Sequence, residues 1–465
     1  MLSFSIFKRS NLLATSRLNR ILPYLTLVFF SLSITGFGQR FHIPSKKKFE
    51  RVKFELINNL MVVPVELNGA KLSFILDTGV SSPILFNLTG KDSIQINKVS
   101  NISLHGLGEG EPIQALKSVQ NTFKIGNAKN FNQPLYVVLD KDLNFSTSLG
   151  VPIHGIIGYD LFKNFVVEVN YTSNTLKLYD PNKYRYKDSK KQQTLPLSII
   201  QKKAYVDGAV TKEDDSEIPV KLLVDTGSSD ALWLFHDAEK GLDIPEKNYE
   251  DFLGQGLSGS IFGKRTKLKG VRIGKFHLNE AKVAFPFKES FSSFKELGDR
   301  NGSVGGEVLK RFNIVFDYPR NKITLSKNGN FNKPFQYNLA GIELQHNGVR
   351  YIAKRITDAN GIVDVEEKTF GNVQILLENR TRLSLVPEII VSGIRAGSPA
   401  ADAGLKEGDV ILAVNGKEIH DYKLQEILQM LNEREGKKVR VQIERYNKDL
   451  LFTFVLKDIF ETKKP

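Results

Sequence analysis

The chain has 465 residues, of which 41% are apolar and 25% charged, and it contains no cysteine. This length and composition predict two to four globular domains and exclude a largely disordered chain. The net charge of +14 comes from scattered Lys and Arg, without the aromatic-interleaved basic stripe that nucleic acid needs, so we expect no nucleic-acid partner. A chain without cysteine has no disulfide and no thiolate metal site, and its seven His are dispersed. We therefore expect no metal and no cofactor.

The N-terminus has the order of residues found in a secretion signal. Basic residues up to Arg20 precede an apolar stretch, residues 21–37, and Gly38 precedes Gln39. This pattern predicts a signal peptide over residues 1–38, cleaved near Gly38, and a secreted or periplasmic protein of the bacterial cell envelope. The apolar stretch is short for a membrane span, so we expect no stable span after cleavage. A retained membrane anchor is the alternative.

A tandem repeat organises the first two thirds of the chain. The segment FILDTGVSS around Asp77 returns as LLVDTGSSD around Asp225, 148 positions later. The same offset pairs Gly158 with Gly306, and it falls by one before Tyr171 meets Tyr318. We therefore predict two homologous halves, residues 50–182 and 195–330, joined by a polar connector at 187–193.

Each half has the local pattern of a compact β fold. Short apolar runs alternate with Gly, Asn and Asp turns, and long helical periodicity is scarce before residue 420. Residues 67–70 and 206–209 carry the turn residues typical of β-hairpins.

The two aspartates can work as a pair. Each follows an apolar strand and enters a turn, where the next Thr can lock the turn and the next Gly can point its N–H at the carboxylate. Two such turns related by a pseudo-two-fold axis would bring Asp77 and Asp225 together, and like charges in one site share a proton. One carboxylate can then act as general base on a water molecule while the other protonates a carbonyl. This pair of roles is what peptide-bond hydrolysis requires.

Residues 50–330 resemble the aspartic peptidases, and more closely their retroviral-type bacterial relatives. The resemblance rests on the two Asp-Thr-Gly motifs and on two apolar-Gly segments, residues 156–158 and 303–306, which in that family pack beneath the active-site turns. It implies that Asp77 and Asp225 form the catalytic dyad. The residues that it implies as support of the active-site turns are Thr78, Gly79, Thr226, Gly227 and Ser228.

Two glycine-rich loops lie where the family carries its flaps. Their glycines are Gly106, Gly108, Gly254 and Gly256. The second loop also matches the spacing GxGxxG, but a poor helix start follows it, so we reject a dinucleotide site.

Two residues depart from the family pattern. Val80 stands where Ser or Ala is usual, so the first carboxylate loses a hydroxyl partner and gains bulk beside it. The second apolar-Gly segment, at Val304, Gly305 and Gly306, is smaller than expected. Both departures put catalytic efficiency in doubt, but not the fold.

The last third has a different character. Ser398 predicts the N-cap of a short helix that ends at Gly404, and residues 424–431 carry the apolar spacing of an amphipathic helix. Residues 408–416 are expected to form a strand that leads into a hairpin, and closing strands are expected at 439–443 and 450–456. Residues 335–460 strongly resemble a bacterial PDZ domain, although the stretch from 349 to 385 is longer than such a domain needs.

The PDZ resemblance implies a groove that binds an extended peptide as an added strand and holds its terminal carboxylate with backbone N–H groups. The peptide-binding positions that it implies are Leu339, Ala340, Gly341, Ile342, Leu424 and Leu428. For Leu424 and Leu428 a place in the plain core is an equal alternative.

These observations predict a mainly β protein with two tandem, pseudo-symmetric aspartic-protease halves followed by a PDZ-type β-barrel with two helices. The expected function is an aspartic endopeptidase, active as a monomer, whose PDZ domain binds peptide or protein substrates or the C-terminal peptide of another ligand. The alternative is a non-catalytic peptide-binding scaffold of the envelope, which Val80 favours.

Overall fold

The computed structural model describes residues 40–43, 47–88, 94–104, 106–108, 110–140, 143–187, 189–291, 298–356 and 380–460. These residues are mainly β and form four sheets with five short α-helices, which confirms the predicted fold class. The predicted signal peptide lies outside the described residues. Within the described ranges, every helix falls short of the length and apolar character that a membrane crossing requires.

The first half folds around an eight-stranded sheet. Its elements are β1 (Phe49–Lys53), β2 (Glu55–Ile57), β3 (Leu60–Leu67), β4 (Ala70–Leu76), β5 (Ile84–Leu85), β6 (Ser100–Leu104), β7 (Ile113–Ile125), β8 (Ala128–Val138), α1 (Phe145–Leu149), β9 (Gly155–Ile157), α2 (Tyr159–Phe162), β10 (Val166–Asn170) and β11 (Thr175–Tyr179). The sheet order is β2-β3-β4-β9-β5-β8-β7-β6. Asn68 and Gly69 connect β3 to β4 with φ of 48° and 93°, as expected for the hairpin predicted at residues 67–70.

The second half repeats this topology strand for strand. Its elements are β12 (Gln192–Pro196), β13 (Ser198–Ile200), β14 (Lys203–Thr211), β15 (Glu217–Val224), β16 (Leu232–Leu234), β17 (Asn248–Gly256), β18 (Gly259–Ile273), β19 (Phe276–Pro286), β20 (Gly302–Val304), α3 (Gly306–Leu309), β21 (Phe312–Asp317) and β22 (Lys322–Lys327). The sheet order is β13-β14-β15-β20-β16-β19-β18-β17. The sequence repeat is therefore also a repeat of the fold.

The hairpin turn predicted at residues 206–209 is wrong. These residues lie inside β14, and the turn into β15 falls at residues 212–216 instead. Gly208 is needed for strand contact, since a Cβ there would lie 2.8 Å from the carbonyl oxygen of Arg272 on β18. The Asp207-Gly208 pair, which predicted a turn, thus lies where two strands approach each other closely.

A six-stranded sheet joins the two halves. Its order is β1-β11-β10-β21-β22-β12, so each half supplies three strands. The central strands β10 and β21 pair antiparallel, with Val166 opposite Asp317 and Asn170 opposite Asn313. Apolar side chains of both halves pack into one core cluster. This shared sheet fixes the halves relative to each other, as a site between them requires.

The C-terminal domain has its own sheet and core. Its elements are β23 (Ile342–Ile356), β24 (Arg380–Ile394), α4 (Pro399–Asp402), β25 (Val410–Val414), β26 (Lys417–Glu418), α5 (Leu424–Leu431), β27 (Lys438–Arg445) and β28 (Lys448–Val455). The Ser398 hydroxyl accepts the Ala401 N–H at 3.3 Å, so α4 has the predicted N-cap. The unexplained stretch from 349 to 385 partly extends the β23–β24 hairpin, and residues 357–379 of it lie outside the described residues.

The C-terminal domain packs on the second half. The guanidinium of Arg395 lies over the ring of Tyr249 on β17, 4.6 Å from its centroid. Phe460 packs against Tyr249 and Tyr337, with ring centroids 5.6 and 5.3 Å apart. These contacts hold the C-terminal domain against β17.

Candidate functional site

Asp77 and Asp225 lie where β4 and β15 end and the chain turns out of each buried sheet. The N–H of Gly79 donates to Asp77 Oδ1 at 2.6 Å, and the N–H of Gly227 donates to Asp225 Oδ1 at 3.0 Å. A Cβ on Gly79 would lie 3.0 Å from Asp77 Oδ1 and 3.2 Å from Asp225 Oδ1. The structure therefore brings the two carboxyl groups together over the two glycines.

The threonines of the two motifs connect the turns through the centre of the molecule. Each Thr N–H donates to the hydroxyl of the other, at 3.0 Å for both Thr78 and Thr226. The Thr78 hydroxyl donates to the Val224 carbonyl at 2.5 Å, and the Thr226 hydroxyl donates to the Leu76 carbonyl at 2.7 Å. Both side chains are buried. Since each hydroxyl has a donor and an acceptor from the opposite half, the dyad geometry depends on both halves.

Strands β9 and β20 support the turns from below. Ile157 and Val304 accept the N–H groups of Asp77 and Asp225, both at 2.9 Å. The residue after each, Gly158 or Gly305, begins the following helix.

The pairing of Gly158 with Gly306 at offset 148 is therefore wrong. A Cβ on Gly158 would lie 1.9 Å from the Asp77 carbonyl oxygen, and one on Gly305 would lie 2.4 Å from the Asp230 carbonyl oxygen. The offset falls by one before this segment, so Gly305 is the counterpart of Gly158. Gly306 serves another contact, because a Cβ there would lie 2.4 Å from the Asn59 carbonyl oxygen. The second segment is thus Ser303-Val304-Gly305, which aligns with Ile156-Ile157-Gly158.

Ser228 and Val80 occupy the next position after each glycine. The Ser228 carbonyl accepts the Gly306 N–H at 2.7 Å, so this residue ties its turn to α3. The Val80 carbonyl accepts the Tyr159 N–H at 3.1 Å, and its side chain packs with the apolar cluster of the first half.

Burial controls the protonation of the pair. Burial, together with the charge of Asp225, raises the pKa of Asp77 to about 8. Burial also raises the pKa of Asp225, while the positive charges of Arg300 and Lys203 and the Gly227 N–H oppose the shift. The hydrogen bond between the carboxyls raises the pKa of Asp77 and lowers that of Asp225, so the two groups share one proton between them. Arg300 and Lys203 had no signal in the sequence, because neither belongs to the repeated motif.

For a peptidase that works through this pair, we expect activity to persist at neutral pH and to fall as the pH rises above about 8. The raised pKa of Asp77 keeps a proton on the pair up to about that pH, and removal of this proton leaves no acid. The measurement is the pH profile of kcat/KM on a peptide without titratable groups. A decline that begins between pH 5 and 6 would contradict a proton held by the pair up to about pH 8.

The predicted flap loops meet each other above the dyad. The N–H of Gly106 donates to the Ser258 hydroxyl at 2.9 Å, and the N–H of Ser258 donates to the Leu107 carbonyl at 3.0 Å. A Cβ on Gly256 would lie 1.9 Å from the Leu107 carbonyl oxygen, and one on Gly108 would lie 2.6 Å from the Gly259 nitrogen. Gly254 has φ of 153° and lies at a bulge of the β17–β18 hairpin. The glycines therefore allow the two loop tips to interlock.

A buried ionic network, which sequence reasoning missed, anchors the second flap. Arg265 donates to Asp230 at 2.7 Å and to Asp251 at 2.5 Å, and the Trp233 indole N–H donates to Asp230 at 2.7 Å. Lys282 pairs with Glu307 at 2.7 Å. The paired charges lie on strands that are distant in sequence. The only signal in the sequence was a charged residue at a position within a strand where an apolar residue was expected.

Three of the six predicted PDZ positions line a groove between β23 and α5. Gly341, Ile342 and Leu428 line the same cavity as the dyad, and Leu428 is only half-buried. Leu424 is 2% exposed and belongs to the domain core. The N–H groups of Leu339 and Ala340 donate to a side chain of the same domain.

Glu343 on β23 lies between the PDZ domain and the second half. Burial, with the charge of Asp251, raises the pKa of Glu343 to about 7, although Arg265 and an Asn338 N–H at 3.0 Å oppose the shift. The folded protein therefore retains a proton that the unfolded chain releases at about pH 4.3.

We expect the thermal stability of the protein to decrease as the pH rises from about 4.3 towards 7, because in this range the unfolded chain releases the Glu343 proton that the folded protein still holds. The variant Glu343→Gln, which stays neutral, should lose this part of the pH dependence. The check is Tm against pH for both proteins. Parallel Tm profiles of the two proteins would contradict this prediction, because they would show that the pKa of Glu343 is the same in the folded and unfolded protein.

One group of described side chains lies close enough together to hold a metal ion, namely Glu418, His420 and Asp421. None of the three lines the dyad cavity.

The structure has two halves joined by a shared sheet, each with an Asp-Thr-Gly turn. A small β domain with a groove follows them, and this combination defines a class of protein. Residues 63–161 match the family model described as aspartyl protease, and residues 390–445 match the model described as PDZ domain. The chain therefore contains an aspartyl protease domain and a C-terminal PDZ domain, as the sequence predicted. These domains support a protease-like function with peptide or protein partners.

Proposed function

We propose that the protein is an aspartic endopeptidase in which Asp77 and Asp225 activate one water molecule between them. The observation that carries this proposal is the pair of half-buried carboxyl groups that share a proton beneath two flaps. Asp225 is the anionic member in this proposal, since Arg300 favours its charge, whereas Lys203 favours the charge of both carboxyls.

The chemistry follows from this asymmetry. Asp225 removes a proton from the water as its oxygen attacks the peptide carbonyl, and Asp77 gives its proton to the carbonyl oxygen. The tetrahedral intermediate then collapses to a carboxylic acid while the dyad returns a proton to the leaving nitrogen. The Gly79 and Gly227 N–H groups hold the two carboxyls in place throughout.

The location and state of the enzyme are part of the proposal. Residues 1–38 have the features of a signal peptide, so the mature enzyme would act in the periplasm or outside the cell as a monomer. Both aspartates are in one chain, and no second copy is needed to complete the dyad.

The test is cleavage of a peptide library by the purified protein at several pH values, read by mass spectrometry. We expect internal cleavage that a chelator does not affect and that a peptide with a hydroxyl-bearing, uncleavable bond inhibits. Complete lack of cleavage from about pH 4, near the ordinary carboxyl pKa, to about pH 8 would favour the non-catalytic scaffold.

A further inference from the structure

The catalytic cleft and the PDZ groove form one continuous cavity of about 1650 Å³. Asp77 and Asp225 line it on the protease side, with β17 of the second flap. Ile342, Glu343 and Leu428 line it on the PDZ side. A peptide in the groove therefore lies in the same enclosure as the bond to be cut.

The backbone N–H groups of the carboxylate-binding loop of this PDZ domain already donate to side chains of the same domain. Asn432 Oδ1 accepts the N–H groups of Leu339 and Ala340 at 2.7 and 3.2 Å. Asn338 Oδ1 accepts the N–H groups of Gly341 and Ile342 at 2.8 and 3.3 Å. All four donors that the sequence assigned to a peptide C-terminus thus have acceptors within the domain.

This arrangement removes the usual gain from binding a terminal carboxylate. A carboxylate gains affinity when it accepts backbone N–H groups that have no other protein partner. Here it would have to displace two asparagine oxygens and leave them without donors, so the net number of hydrogen bonds would hardly change. The groove wall beside Leu428 can bind an apolar side chain of a peptide without any contact to the C-terminus of that peptide.

The far end of the groove is closed by the protease domain. Gly150, which follows α1, lies against Leu424, since a Cβ there would be 2.8 Å from Leu424 Cβ and 3.4 Å from His346 Nε2. Residues of α1, such as Phe145 and Ser148, line the shared cavity. A strand along β23 therefore meets α1 and is directed into the part of the cavity that holds the dyad.

We propose that the PDZ groove binds an internal, extended segment of the polypeptide that the dyad cuts, with an apolar side chain over Leu428, and does not bind its C-terminus. This inference rests on the proposed function. It assigns the PDZ domain to substrate binding within the same molecule and predicts substrates with a long extended stretch around the cleaved bond.

The test is binding of fluorescently labelled peptides of about 20 residues, a length of roughly 66 Å when extended, to the Asp77→Asn protein. The peptides are those that the wild-type protein cleaves or, if it cleaves none, those that the Asp77→Asn protein retains from the library. Each is measured by fluorescence anisotropy as a free acid and as a C-terminal amide. We expect the two forms to differ by less than about twofold in Kd.

Two further variants locate the peptide. In the Asp77→Asn protein, Leu428→Glu should weaken binding about tenfold or more, because it places a charge on the apolar wall. Leu451→Glu is the matched control, since Leu451 is 66% exposed on β28 and does not line the cavity. Leu428→Ala, a milder change with less risk to the fold, should weaken binding about threefold.

The outcomes separate the inference from the proposed function. Tenfold or stronger preference for the free acid, or equal binding by the Leu428 and Leu451 variants, overturns the inference even when the wild-type protein is active. Absence of cleavage combined with amide-tolerant, Leu428-dependent binding rejects the peptidase but supports internal-segment recognition in the groove.

Discussion

Replacing either Asp77 or Asp225 by asparagine is expected to lower kcat/KM by at least about 10³-fold without unfolding the protein. The two carboxyls share one proton, so an amide at either position removes the acid or the base and disables the unit. Asparagine has nearly the same shape and can still accept the N–H of Gly79 or Gly227. The measurement is kcat/KM on a peptide from the library, with circular dichroism on each variant.

Asp214→Asn is the matched control, because Asp214 lies in an exposed turn between β14 and β15. It should leave kcat/KM unchanged. Activity above about a tenth of wild type in either dyad variant would reject the assignment of the dyad.

Gly227→Ala should lower kcat/KM by at least about 100-fold. A Cβ on Gly227 would lie 2.2 Å from Asp77 Cγ and 2.3 Å from Asp77 Oδ2, so the added methyl group must push the first carboxyl away from the second. The Thr78 and Thr226 hydrogen bonds hold both turns and leave the backbone little room to move. The dyad should then lose its shared proton as well as its geometry.

The control for this variant is Gly329→Ala. A Cβ there has no neighbouring atom within 4 Å, and the backbone is not in the left-handed region. This change should leave kcat/KM and Tm unchanged. Full activity of Gly227→Ala would mean that the carboxyls need not lie as close as the structure places them.

Several properties were determined by the sequence alone. The spacing of Asp77 and Asp225, the alternating strands and the N-cap of Ser398 are local signals, and each follows from a few neighbouring residues. The repeat added long-range information, because two copies of one pattern fold alike and pair about a common axis. The fold class, the two domains and the candidate dyad could therefore be predicted.

Only the tertiary structure decided the rest. The turn expected at Gly208 became a strand because β18 approaches it, and Gly305 replaced Gly306 because the Asp230 backbone lies against it. The charges near the dyad, Arg300 and Lys203, come from segments that carry no motif. Asn432 reaches the loop at Leu339 across 93 positions of chain, and Gly150 closes the groove from another domain. Such contacts depend on how helices and strands pack against each other. The residue pattern within one helix or strand does not show which distant segment will pack against it.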